Sequence, residues 1–142
     1  MVPMDEELEH VKDYLELEKA RFEEKLKIDL MTPENMDVLI PTLILQPIVE
    51  NAVRHGKDAN GYCDLSIEII EMEKTFVVQI KDKGMGFDKE VLRKLEADEP
   101  IGRSVGLQNV HKRLKNIYGN EYGLKITSSP RGSAVVMEFR KE

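Results

Sequence analysis

Three segments of this chain carry residue types that could together hold a phosphorylated purine. The first is Leu45-Gln46-Pro47-Ile48-Val49-Glu50-Asn51-Ala52-Val53-Arg54-His55-Gly56, whose apolar spacing is helical. At about 100° per residue, Ile44, Leu45, Ile48, Val49, Ala52 and Val53 share one face. Glu50, Asn51 and Arg54 share the opposite face, with His55 at its margin. The Asn51 amide oxygen suits Mg²⁺, a hard cation that keeps waters and substrate phosphates as its other ligands. Arg54 and His55 would then face phosphate oxygens. The plainer alternative is an amphipathic helix with a Glu50–Arg54 surface pair.

The second segment, Asp82-Lys83-Gly84-Met85-Gly86, follows directly on a predicted strand. A carboxylate there can accept a hydrogen bond from an exocyclic amine such as adenine's N6, and glycines let backbone approach a flat base. Alone, the run is an ordinary glycine-rich turn. The third, Gly102-Arg103-Ser104-Val105-Gly106-Leu107, opens a helix whose terminal amides can bind an anion, and Ser104 can also act as its N-cap. It has neither Walker A spacing nor the parallel β-α-β setting of a dinucleotide fingerprint.

The elements that must position these segments can be read along the chain. Residues 4–24 form a helix with acidic residues in its first turn, an apolar stripe of Leu8, Val11, Leu15 and Phe22, and Tyr14, Leu17 and Arg21 widening it. Residues 25–31 alternate as a strand, and 32–37 form a loop. The second helix ends at His55 with Gly56 as its C-cap, and Pro47 forces a kink or an irregular turn before it. Residues 62–72 and 75–81 form a hairpin, 88–97 a short helix, 98–103 a mobile connection, and 107–118 a helix closed by Gly119. Residues 122–128 and 133–140 form a closing hairpin. Helices interleaved with β-ribbons predict a two-layer α+β sandwich.

At 142 residues one domain is expected, and a net charge of −6 argues against a nucleic-acid or anionic-membrane surface. The lone Cys63 excludes an internal disulfide and reads as a small apolar strand residue. No apolar run reaches about 20 residues, so no membrane span is expected. His10 and His111 read as solvated or capping helix residues, and no Cys/His cluster has zinc spacing. The opening directly into a helix suggests a piece of a longer chain.

In this order and spacing, the Asn51 segment, Asp82-x-Gly84-x-Gly86 and Ser104-Val105-Gly106-Leu107 resemble the N, G1 and G2 boxes of the GHKL ATP-binding fold. That superfamily holds gyrase, the ninety-kilodalton heat-shock chaperones, MutL-type repair proteins and histidine kinases. Three further runs are similar to the LytS-like, autolysin-regulator branch of sensor histidine kinases. They are Tyr14-Leu15-x-Leu17-Glu18-x-x-x-Phe22, the Leu45 to Gly56 run, and Gly106-Leu107-x-Asn109-Val110-x-x-Arg113-Leu114 with Tyr118-Gly119.

The resemblance implies a two-layer α/β sandwich of the GHKL (Bergerat) ATPase type, with a mixed sheet and helices on one face. It implies ATP and Mg²⁺ as cofactors, Asn51 as the metal ligand and Asp82 as the adenine anchor. Gly84 and Gly86 would shape the base pocket, and Arg54 and His55 would line the phosphate side. Ser104, Gly106 and Leu107 would lie at the phosphates, and Ser133 would reach adenine through water. Residues 87–105 would form the ATP lid. Residues 1–24 would continue from a dimerisation region, and 25–142 would be the catalytic domain. The parent would be a membrane-anchored homodimer with this domain in the cytoplasm. Its γ-phosphoryl acceptor would be a histidine on the dimerisation domain, for relay to a response-regulator aspartate.

Three departures qualify this picture. Ser104 replaces the first glycine of a Gly-x-Gly-Leu pattern. Pro47 stands where hydrolysing and serine-kinase relatives have a catalytic Glu, which favours transfer to an imidazole. No phosphoacceptor motif of the His-Phe-x-x-Asn type occurs, so the chain alone is expected to bind nucleotide and to turn it over slowly or not at all. The alternatives are an anti-sigma-factor-type serine kinase and a nucleotide-sensing interaction module.

Overall fold

Strict alternation of buried and exposed residues along Cys63–Glu71 and a similar pattern along Thr75–Asp82 make a sheet with one apolar face. The computed structural model describes residues 1–99 and 105–141. In chain order the elements are β1 (Val2–Pro3), α1 (Met4–Phe22), β2 (Leu26–Met31), β3 (Leu39–Ile40), α2 (Gln46–His55), β4 (Cys63–Glu71), β5 (Thr75–Asp82), α3 (Lys89–Glu96), α4 (Val105–Tyr118), β6 (Lys125–Ser129) and β7 (Gly132–Arg140). Five strands form a sheet in the order β2-β4-β5-β7-β6. The β2–β4 pair is parallel and the other three are antiparallel, so the sheet is mixed.

The apolar face carries Leu65, Ile67, Phe76, Val78, Ile80, Val135, Met137 and Phe139. Against it pack Leu8, Val11 and Leu15 of α1, Ile48, Val49, Ala52 and Val53 of α2, and Leu107, Val110 and Leu114 of α4. The opposite face presents Asp29, Lys81, Lys125 and Thr127 to water. Helices therefore cover one side only, as expected. Cys63 is buried at the start of β4, where its thiol donates to the Ala52 carbonyl oxygen at 3.7 Å. Burial pushes this thiol up to about 11, so it stays protonated and inert at neutral pH. Among the described residues, no helix is long and apolar enough to cross a membrane.

Several local readings are corrected. Helix α2 starts at Gln46, which places Pro47 in the first turn, where no backbone donor is needed. The irregular turn lies before it, at residues 42–45, where Leu43 holds φ = +53°. Gly56 is the C-cap of α2, as expected, with φ = −88° and its amide donating to the Ala52 carbonyl oxygen at 2.7 Å. On α1, Leu17 is 72% exposed, whereas Met4 and the carboxylate-bearing Glu7 are buried. Glu50 accepts from Gln46 Nε2 at 3.1 Å, and the Glu50–Arg54 ion pair of the plainer alternative does not form. Tyr122 belongs to a 3₁₀ turn, Asn120–Tyr122, and β6 begins only at Lys125. The Tyr122 ring packs on Tyr118 with centroids 5.6 Å apart, which turns the chain before the strand.

His111 is buried rather than solvated: its Nδ1 accepts from the Leu124 amide at 2.9 Å. Burial, then the Lys115 charge, lowers its pKa, so the imidazole stays neutral and keeps that bond. Gly119 does close α4, at φ = +122°. The predicted connection at 98–103 lies partly outside the described residues, as does Ser104.

Candidate nucleotide site

The site begins with sheet register. Leu65, Asp82, Ser133 and Ser128 are successive partners across β4, β5, β7 and β6, so their side chains project on the same face. Asp82 ends β5, where the sheet stops and its side chain reaches past the core. Its Oδ1 accepts from the Gly84 amide at 2.9 Å, and its Oδ2 accepts from Ser133 Oγ at 2.7 Å. Each carboxylate oxygen has two lone pairs, so both retain capacity for another donor. The carboxylate is oriented before any ligand arrives. Ser133→Ala is expected to loosen it and weaken nucleotide binding about fivefold, equivalent to about 1 kcal/mol, as titration calorimetry would measure.

Backbone packing holds this corner shut. A Cβ on Gly56 would lie 2.8 Å from Asp82 Cγ, and a Cβ on Gly84 would lie 2.6 Å from the Gly56 carbonyl carbon. The end of α2 thus rests directly on the loop after β5. Gly86 takes φ = +84°, a conformation that disfavours any side chain, and a Cβ there would meet Ser128 Oγ at 2.7 Å. The same Ser128 Oγ accepts from the Phe87 amide at 2.6 Å. Phe87 is half-buried against the core.

Asn51, Ala52 and His55 of α2 face Asp82, Gly86, Phe87 and Ser133 across one cleft. Asn51 is half-buried, and among the described residues its carboxamide has no hydrogen-bond partner. The cleft is narrow: its volume of about 20 Å³ holds roughly one water, so a purine enters only if the walls part. Partial burial, then the Arg54 and Lys57 charges, lowers the pKa of His55. Its imidazole is therefore neutral at pH 7 and brings no charge of its own to a phosphate.

The sequence-predicted residues are thus only partly brought together. Asn51, His55, Asp82, Gly86 and Ser133 share the cleft, and Gly84 lies beneath it. Arg54 is exposed and does not line it. Leu107 buries its side chain in the core, so only its backbone could serve a ligand. Gly106 sits at the entrance of α4, where a Cβ would contact Pro47 Cβ at 3.7 Å. Four contributors escaped sequence reasoning: Ser128, Gly56, Gly132 (φ = +144°), where a Cβ would strike the Asp82 carbonyl oxygen, and the contact of α4 with the start of α2. A glycine before a strand and a serine opposite Ser133 carry no signal until the register is known.

A wider cavity of about 580 Å³ runs over the other face of the sheet along Asp29, Ser66, Lys81 and Thr127 and reaches round the strand ends to Asp82, Ser128 and Ser133. It is broad and open to water, with no helix end facing it. Among the described residues, no group of three or more His, Cys, Asp or Glu side chains could hold a metal ion.

Comparison with known proteins agrees with this geometry. Residues 36–142 match the family described as histidine kinase-, DNA gyrase B-, and HSP90-like ATPase. The sensor histidine kinase YpdA of Escherichia coli is 36% identical over 135 residues, covering 94% of this chain and 24% of the relative. The sensor protein LytS of Bacillus cereus is 32% identical over 133 residues, covering 90% of this chain and 23% of the relative. The chain therefore spans about a quarter of the length of these relatives. Among solved structures, the catalytic domain of histidine kinase ThkA superposes with a TM-score of 0.71 at 15% identity, over 98% of this chain and 92% of that one. ThkA in complex with the response regulator TrrA gives 0.69 at 19% identity, over 99% and 41%. A matched segment that contains every cleft-lining residue, in a fold shared with a kinase catalytic domain, makes this chain a member of the histidine kinase-, gyrase- and HSP90-like ATPase family.

Proposed function

We propose that this chain is the Mg²⁺-ATP-binding catalytic domain of a two-component sensor histidine kinase. The observation that carries the reading is the Asp82 carboxylate, fixed by Gly84 and Ser133 at the edge of a cleft that it shares with Asn51. Asp82 accepts the exocyclic amine of adenine, and Gly84 and Gly86 let the loop lie close to the base plane. Ser133 steadies the carboxylate and can extend its reach through a water. The unpartnered Asn51 carboxamide fits a cation that takes one protein oxygen and fills its shell with phosphates and water. Bound Mg²⁺ would neutralise phosphate charge. A helix leaves its first amides unpaired, so those of Gly106 and Leu107 at the start of α4 would donate to phosphate oxygens, and Gly106 lies beside Pro47 in the first turn of α2.

Catalysis in this reading is positioning and charge compensation. Pro47 occupies the position of a water-activating base, and Glu50 is engaged by Gln46 rather than turned into the cleft. A neutral imidazole acceptor needs no such base, which supports transfer to histidine over serine or water. Residues 1–24 would lead in from a dimerisation domain that carries the phosphoacceptor histidine in a homodimeric, membrane-anchored parent. A response-regulator aspartate would be the next acceptor, consistent with the regulator bound to ThkA.

The direct test supplies the chain with labelled ATP, Mg²⁺ and a separate phosphoacceptor domain of a LytS-like kinase. Acid-labile, base-stable label on that domain is the expected result. Nucleotide binding without any transfer would favour an interaction module instead. Asn51→Ala is expected to abolish the gain in affinity that Mg²⁺ gives, about tenfold, while Mg²⁺-free binding changes less than twofold. Calorimetry with and without chelator distinguishes these.

A further inference from the structure

Glu7 is only 2% exposed, and a buried carboxylate must be matched by donors. Its Oε2 accepts from the Leu43 amide at 3.0 Å, and its Oε1 from the Ile44 and Leu45 amides at 2.9 and 3.5 Å. These three amides lead directly into α2, whose own N-cap, Leu45, offers no side-chain acceptor. A carboxylate from α1 thus stands at the positive end of α2. The same turn is held from the other side by α4. Arg113 donates from Nη1 to the Leu43 carbonyl oxygen at 3.1 Å and from Nη2 to that of Thr42 at 2.7 Å. Leu43 takes φ = +53°, which an L side chain adopts only when its surroundings impose it.

The contact between α1 and α2 continues beyond this turn. Tyr14 lies within the fields of Glu50 and Arg54, and burial, then Glu18, pushes its hydroxyl up to about 12. The Lys57 ammonium, just past α2, sits 4.6 Å from the centre of the Phe22 ring. Helix α1 therefore follows α2 from beginning to end. Glu7, Tyr14, Phe22 and Arg113 do not line the cleft, yet they surround the helix that carries Asn51 and His55.

We propose that Glu7 and Arg113 are positioning residues for the nucleotide's metal and phosphates. They clamp the 42–45 turn between α1 and α4, so the placement of α1 sets where Asn51 stands relative to the entrance of α4. This inference rests on the nucleotide-binding reading above. A shift of α1 would reach the cleft through the turn without any contact between α1 and ligand.

The test uses the whole chain with Glu7→Gln, Arg113→Lys and, as a charge control, Glu6→Gln on the exposed side of α1. Two affinities for a non-hydrolysable ATP analogue are compared, with Mg²⁺ and with chelator, alongside the Asn51 side-chain amide resonances. Glu7→Gln and Arg113→Lys are expected to weaken Mg²⁺-dependent binding about tenfold, to change Mg²⁺-free binding less than twofold, and to move the Asn51 resonances. Their double variant should add little, because both act on one turn. Glu6→Gln should match wild type. Unchanged Mg²⁺ dependence in both variants, or equal weakening with and without Mg²⁺, would overturn the inference while leaving the nucleotide reading intact. If Glu7→Gln fails to fold, Arg113→Lys decides alone, since Arg113 lies nearer the surface. A wild-type chain that binds no nucleotide would overturn both.

Discussion

Asp82→Asn is expected to weaken binding of a non-hydrolysable ATP analogue about 100-fold, roughly 2.7 kcal/mol. The substitution preserves the shape of the corner. An asparagine oxygen can still accept from the Gly84 amide, and its NH₂ can donate to Ser133 Oγ in place of accepting from it. The base is what suffers, because its exocyclic amine then meets another donor. A hydrogen bond to a charged acceptor contributes about 1.5–3 kcal/mol, and an unpaired donor left in a closing cleft costs more. Calorimetry should show this loss while the thermal midpoint moves by only a few degrees. Full affinity in Asp82→Asn would remove the carboxylate from the base site and with it the main support for the proposed function.

Gly84→Ala should act on the fold itself. Its methyl group would lie 2.6, 2.7 and 2.9 Å from the C, O and Cα atoms of Gly56, all backbone, so no side chain can swing aside. Either α2 lifts from the β5 loop or the loop leaves Asp82. Overpacking against backbone costs about 3 kcal/mol. The entropy that alanine removes from the unfolded chain offsets less than about 1 kcal/mol of that. A drop in thermal midpoint of roughly 6–12 °C is expected for a chain of this size, together with loss of nucleotide binding. Gly61→Ala is the contrast: nothing lies within 4 Å of a Cβ there, so its only cost is the left-handed backbone at φ = +83°, about 1–2 kcal/mol, with nucleotide binding retained. A Gly84→Ala chain as stable as wild type would mean that α2 does not rest on this loop.

The elements of this fold were largely legible because their signals are local. The hairpin read at 62–72 and 75–81 is β4 and β5, and the helix read at 88–97 is α3, which starts at Lys89 with Asp88 accepting from the Glu90 amide. The mixed sheet and one-sided helices followed from the resemblance, and Asp82, Asn51 and Gly86 from motif order. Failures came where a long-range partner decides. Glu7 reads as one more acid in a first turn, and only the amides of residues 43–45 explain its burial. The β1–β3 ribbon is two residues long on each side and has no sequence pattern. His111 looks like a polar helix residue until the Leu124 amide arrives from the next element. Arg54 was assigned to the phosphates from a helical wheel, which cannot tell which polar residues a neighbouring loop will cover.

Asp82 and Ser133 face each other in the sheet but stand 51 residues apart in the chain. The β4–β5 hairpin can close locally, whereas β7 joins β5 only after the whole stretch containing α3, α4 and β6 has been looped back. Closing so long a loop costs entropy before its contacts return anything. The oriented carboxylate thus depends on a long-range pairing, and a chain lacking the β5–β7 contact has no Ser133 hydroxyl to hold Asp82. A nucleotide that binds this cleft would then select the completed domain and stabilise it as a whole by mass action. A nucleotide site built on this cleft would therefore be complete only when the strand order is final.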